Sequence, residues 1–267
     1  EKAKEFVKAR DEFETDLYNS INLSIQTHKI DYIPGCAELG DFDATSTAIS
    51  IYPVNELQNL PEPYGRNTFE KYYEFFVNRR ESKIKWDAYT PYEVRTIGSF
   101  IYLGEKNKAY DLLNYFLKDQ RPAGWNHWAE VVWNDINMPR FIGDMPHTWV
   151  GSDFISSIRS FFAYEDELAN SLVLGAGIKE EWADAPEGVE INGLPTYYGK
   201  LNYSIKKTAE GTYTINISSL TNIPEGNIIF KNFKNSPIKS IEINGIEQPT
   251  DKGVIIKSLP ASIEIKY

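Results

Sequence analysis

The hydrophobic period changes once along the chain, between residues 165 and 168, and this change constrains the fold more than any other feature. Before it, apolar side chains recur at i, i+3, i+4 and i+7, which gathers them on one face of a helix. After it, apolar and polar residues alternate, as in strands with one buried face.

Five helices follow from the first pattern. Residues 1–27 place Phe6, Phe13, Leu17, Ile21 and Ile25 on one face, and residues 64–80 do the same with Phe69, Tyr72, Tyr73, Phe76 and Val77. In "TPYEVRTIGSFIYLG", Thr90 suits an N-cap, Pro91 the first helical position and Gly104 the stop. "KNKAYDLLNYFLKDQ" carries Ala109, Leu112, Leu113, Phe116 and Leu117 on one stripe. "DMPHTWVGSDFISSIRSFFAY" aligns Val150, Phe154, Ile158, Phe161 and Phe162, with Asp144 and Pro146 as start signals. A shorter helix is expected at 44–52. Three long connections (29–43, 78–90, 119–145) contain Trp, Tyr and acids in place of small polar filler. Long loops of that kind in compact domains are usually functional or disordered.

From residue 168 onward, "GVEINGLPT", "GKLNYSIKKTAEGTYTINIS", "GNIIFKNF", "IKSIEINGIEQPT" and "GVIIKSLPASIEIKY" read as short strands, with Glu210-Gly211 and Asn244-Gly245 as turns. The expected organisation is multidomain α and β: a helical domain over 1–166, then an antiparallel β-sandwich over 167–267. The second domain shows no chemistry and reads as an accessory module.

Several functions are disfavoured. A net charge of −10 repels nucleic acid and anionic membranes. No apolar run approaches the roughly 20 residues that span a bilayer. Cys36 is the one cysteine, so the chain has no internal disulfide. His127 and His147 lack metal-ligand spacing, and no metal is expected. No phosphate-binding glycine motif is present, so no nucleotide cofactor is expected, and Ser-His-Asp hydrolase chemistry lacks its nucleophile elbow. The chain opens on "EKAKEFVKARDEFETDLYN", which reads as mid-helix and suggests that residues precede Glu1.

The chemistry concentrates in residues 124–151, "GWNHWAEVVWNDINMPRFIGDMPHTWVG". Trp125, Trp128, Trp133 and Trp149 lie here, with His127, His147, Glu130 and Asp144. Aromatic faces stack on the CH faces of sugars, and a Trp-rich core would use the same residues. Glu130 follows Trp128 closely, and a carboxyl beside indole rings is partly desolvated, which raises its pKa and suits acid–base work. A solvated Glu at a helix start fits the same pattern. Glu38, Asp41 and Asp43 lie in a second cluster, "YIPGCAELGDFDATST", whose glycines allow close approach of backbone to a ligand. Asp43 equally suits the N-cap of the 44–52 helix, and Asp144 that of the last helix. Glycosidic hydrolysis needs a pair of carboxyl groups flanking the bond, and these clusters could supply them.

The run "HWAEVVW…GDMPHTWVGSDFI", together with "PGCAELGDFDATST", resembles the six-hairpin (α/α)6-barrel glycosidases, including bacterial α-L-rhamnosidase-like and discoidin-domain-associated proteins. The resemblance implies an α/α toroid followed by a β-sandwich, a secreted or periplasmic location, and an inverting mechanism. Glu130 would match the general base of a "WE" motif. Asp41 would match the Asp of a "GDW" loop, with Phe42 in place of its Trp. His147 would match a late "NH" histidine, with Pro146 in place of Asn. Six hairpins need twelve helices, and the sequence supplies about half of them. The resemblance therefore implies half a barrel, with the acid partner in a missing N-terminal part of the same protein.

On this view Glu130, Glu38 and Asp41 are the catalytic candidates. Trp125, Trp128, Trp149, His127, His147, Asp43 and Asp144 bind a carbohydrate substrate. Two alternatives use the same residues. One is a non-catalytic carbohydrate-binding module. The other is a polysaccharide lyase, for which Tyr89, Arg95 and Arg140 are available.

Overall fold

The computed structural model describes residues 1–135, 137 and 143–267. The chain divides into two compact units, Glu1–Phe154 and Ile155–Tyr267. Helices and largely antiparallel sheets make a mixed α and β protein.

The first unit contains helices α1 (Lys2–His28), α2 (Ala44–Ile51), α3 (Tyr64–Arg80), α4 (Arg95–Tyr102) and α5 (Lys106–Lys118). A 3-10 turn, η1 (Pro91–Val94), leads directly into α4, and α6 (Thr148–Phe162) starts in this unit. Helix α4 packs against α2 and α5. The core is aromatic, with Phe69 and Phe76 of α3, Phe100 of α4 and Phe116 of α5 almost fully buried. The expected apolar faces of α3 and α5 point inward, except that Leu117 is exposed. In α1, by contrast, Phe6 and Phe13 are 74% and 69% exposed and Leu17 is exposed as well, while Ile25 near the C-terminal end is buried. Periodicity shows which residues share a face; it does not show that another element covers that face.

Thr90 caps η1 by accepting from the Tyr92 N–H, and Pro91 fills the first position. Gly104 follows the end of α4 with φ 79°, the left-handed conformation of a helix C-terminal glycine. Asp43 caps α2, accepting from the backbone N–H groups of Thr45 and Ser46. The expectation for Asp144 needs correcting. Helix α6 begins at Thr148, and Asp144 lies four residues earlier with its side chain 85% exposed. The helix also ends at Phe162, because Ala163 opens a strand.

Two of the long connections are joined. Strands β1 (Ala88–Tyr89) and β2 (Val132–Trp133) form a small antiparallel sheet, with Ala88 opposite Trp133 and Tyr89 opposite Val132. The Asn134 N–H donates to the Asp87 carbonyl at 2.7 Å and extends this clip.

In the second unit, β3 (Ala163–Asp166) and β4 (Ser171–Leu174) precede a short helix, α7 (Glu180–Asp184). Then come β5 (Val189–Thr196), β6 (Gly199–Ala209), β7 (Thr212–Ser218), β8 (Ile228–Phe230), β9 (Ser240–Ile243), β10 (Ile246–Gln248), β11 (Val254–Ile256) and β12 (Ala261–Lys266). One sheet has the order β10-β9-β12-β7-β6-β5, the other β11-β8-β4-β3. All pairings are antiparallel except β4 with β8, which run parallel. The chain passes through β5, β6 and β7 between those two strands, the crossover that a parallel pair requires. Alternation sends Leu201, Tyr203 and Ile205 of β6, and Tyr213, Ile215 and Ile217 of β7, into one core. Leu172 and Leu174 of β4, Ile228 and Phe230 of β8, and Val254 and Ile256 of β11 join the same core. Asn244 and Gly245 both have positive φ, as a two-residue turn between β9 and β10 requires. Strands β3 and β4 were missed because β4 is buried along its whole length and shows no alternation. Among the described residues, no helix is long and apolar enough to cross a membrane.

Candidate functional site

The β1–β2 clip brings Glu130, two residues before β2, beside Thr90, the residue after β1. The Thr90 hydroxyl donates to the Glu130 carbonyl at 2.8 Å. Two residues back, the carbonyl of Trp128 accepts from the His147 N–H at 2.7 Å. The tripeptide Trp128–Ala129–Glu130 is thus tied at one end to the start of α6 and at the other to the start of η1. Ala129 is buried, and the Trp128 ring packs on Phe154 at 5.2 Å. Gly143 (φ 74°) lies against the Glu130 side chain, and a Cβ there would collide with Cβ and Oε2 of Glu130.

Four further side chains form a connected group that meets this tripeptide at His147. The Tyr92 hydroxyl is 2.7 Å from Nε2 of His147. Arg95 lies over the Tyr92 ring at 4.6 Å. Its guanidinium donates twice to Asp153 Oδ2, at 2.9 and 2.6 Å, and reaches the Thr45 carbonyl in the first turn of α2 at 3.3 Å. Burial raises the Tyr92 phenol above its ordinary range; Arg95 opposes this, while the charges of Glu130, Asp153 and Asp144 add to it. The starts of α2, η1 and α6 therefore meet around a polar cluster of one phenol, one imidazole, one arginine and several carboxylates.

No family model, curated protein or solved structure matches the chain.

The other sequence candidates lie in varied surroundings. Trp125 and Trp149 are exposed, at 59% and 69%, and are available for stacking. Trp128 is buried, so it supports the loop from beneath and offers no open face. His127 is exposed beside Asn126, whose φ is 53°. Asp144 is within 3.9 Å of His147 Nδ1. Asp43 is fully engaged as a cap: Oδ1 accepts from Thr45 Oγ1 at 2.6 Å and Oδ2 from Ser46 Oγ at 2.5 Å, besides the backbone bonds. Burial would raise its pKa, but these hydrogen bonds outweigh burial and lower it.

Glu38 and Asp41 belong to a small loop clipped onto α1. The Ser24 hydroxyl donates to the Ala37 carbonyl, the Tyr32 hydroxyl to the Gly40 carbonyl, and Gly35 N–H to the Asp41 carbonyl. Asp41 Oδ1 accepts from the Cys36 N–H at 2.8 Å, and the exposed Glu38 approaches the Cys36 thiol. Among the described residues, neither carboxylate bonds to the cluster around Glu130. Tyr89 is separate from Arg95 as well: it is buried and donates to Asp119, which is paired with Arg121. Arg140 lies outside the described residues.

Tyr92 and Asp153 were not among the sequence candidates. The available signal was that Thr90, Pro91 and Tyr92 open a helix directly after a Trp-containing loop. Among the described residues, no group of three or more His, Cys, Asp and Glu is arranged to hold a metal ion.

Proposed function

We propose that this chain is the C-terminal part of a secreted or periplasmic six-hairpin glycosidase, half of an α/α toroid followed by a β-sandwich, and that it hydrolyses glycosidic bonds in a polysaccharide or glycan. The observation that carries this is the setting of Glu130. Its carbonyl is tied to Thr90 and that of Trp128 to His147, its side chain is backed by Gly143, and Tyr92, bonded to His147 and lying under Arg95, is within reach of its charge. Glu130 acts as general base: it takes a proton from water as the oxygen attacks the anomeric carbon, and an acid elsewhere in the protein protonates the leaving oxygen, which inverts the sugar. The exposed Trp125 and Trp149 offer stacking faces for the glycan.

The test is turnover of a glycan panel by the full-length protein and by Glu130→Gln. Loss of a general base lowers kcat by about 10²–10⁴-fold. Full turnover in E130Q removes Glu130 from the mechanism, and glycan binding without turnover in either protein identifies a binding module instead.

Eliminative cleavage of a uronate polymer is favoured by one observation: the Tyr92 hydroxyl is bonded to His147 and the Tyr92 ring lies under Arg95, a base beside a cation. Products absorbing in the near ultraviolet, with turnover preserved in E130Q, would establish that chemistry in place of hydrolysis.

A further inference from the structure

Tyr92 is half-buried in the first turn of η1, and its ring meets that of His147 edge to face at 5.3 Å. A phenol donates one proton and accepts through its oxygen, while a neutral imidazole has one donor nitrogen and one acceptor nitrogen. The bond between the Tyr92 hydroxyl and His147 Nε2 therefore runs in one of two directions. The second ring nitrogen decides between them. Nδ1 faces Asp144 Oδ2 at 3.9 Å, beyond direct hydrogen-bond distance. An ionised carboxylate only accepts, so its charge favours the proton on Nδ1. Nε2 is then bare and Tyr92 is the donor.

We propose that Tyr92 is a positioning residue that fixes His147 in its Nδ1–H form, so that the imidazole presents a donor and the Tyr92 oxygen an acceptor to the hydroxyls of a sugar beside Glu130. A sugar hydroxyl both donates and accepts, and this pair offers one partner of each kind. The identity of the ligand rests on the hydrolase function proposed above; the tautomer does not. His147 itself is held by its backbone N–H on the Trp128 carbonyl and is 12% exposed, so the ring has little freedom to reorient.

The experiment has two arms on the full-length protein. In the first, long-range nitrogen–proton NMR at about pH 8.5, above the ordinary imidazole range, reads the His147 tautomer. Loss of its signals in His147→Asn assigns it against His28 and His127. The wild type is expected to carry the proton on Nδ1. Tyr92→Phe, which keeps the ring and removes the donor, is expected to shift the population toward Nε2–H. An Nε2–H ring in the wild type, or an unchanged tautomer in Y92F, overturns the proposal.

In the second arm, the glycan turned over by the wild type is assayed with Y92F and E130Q. Y92F is expected to raise KM about 3–10-fold, the effect of one lost hydrogen bond, and to lower kcat less than that. A fall in kcat at unchanged KM overturns the positioning role. An Nδ1–H form in the wild type that shifts in Y92F, together with full turnover in E130Q, overturns the role of Glu130 and supports the tautomer assignment.

Discussion

Glu130 is held by its carbonyl on Thr90 and, two residues back, by the Trp128 carbonyl on His147, and Gly143 lies against its side chain. Any Cβ at residue 143 meets the Glu130 side chain, and the backbone there has φ 74°, which L side chains rarely adopt. Gly143→Ala is therefore expected to displace the carboxylate and to lower stability by about 1–2 kcal/mol. Turnover and the urea midpoint of the same variant check both effects, and wild-type activity in G143A would show that the loop absorbs the clash without moving Glu130. Nothing in the sequence links Gly143 to Glu130. The contact joins two residues thirteen positions apart.

At the scale of elements, the site depends on helix starts and on one short sheet. The α2 start is anchored by Asp43, whose carboxylate accepts from two backbone and two hydroxyl donors. Its pKa is lowered in the fold, so it contributes stability above the unfolded carboxylate range, and that contribution is lost as pH falls through the folded value. Asp43→Ala is expected to cost about 1 kcal/mol at neutral pH. Asp43→Asn keeps a capping side chain and removes the titration. Denaturant midpoints at neutral and strongly acidic pH separate these cases: the gap between wild type and D43N should shrink on acidification, and a constant gap would contradict the sign of the shift. Capping at Asp43 and Thr90 was legible in the sequence because a cap is a local contact across two or three residues. The β1–β2 clip was not legible, since two-residue strands carry no pattern and their partners are more than forty positions apart. That clip is what brings Glu130 to Thr90.

At the scale of the whole molecule, each unit has its own core and its own weak point. In the first, Arg79 is 2% exposed, bonds both oxygens of Glu93 at 2.7 Å, and lies over the Tyr89 ring; Tyr72 donates to the same carboxylate. Removing one member of such a pair leaves a buried charge, so Arg79→Leu is expected to cost about 3–5 kcal/mol. In the second unit, Ile263 of β12 is fully buried, and Ile263→Ala is expected to cost about 2–5 kcal/mol. Native-state hydrogen exchange should localise each loss of protection to the unit that carries the substitution. Loss across both units in either variant would mean that they unfold as one.

The sequence by itself determined the main helices, the strands from β5 onward, the caps at Asp43 and Thr90, and the change from helices to strands, because periodicity and capping act over a few residues. It also singled out residues 124–151 as chemically unusual and Glu130 as the carboxylate of most interest. Tertiary structure alone decided which candidates share a site. Trp128 is buried as a support, Asp43 is occupied as a cap, Glu38 and Asp41 lie in a loop clipped to α1, and Tyr92 and Asp153 join Glu130 and His147. The reason is physical: a side chain's type is written at its own position, but its partners are set by long-range pairing such as β1 with β2, which a one-dimensional pattern does not encode.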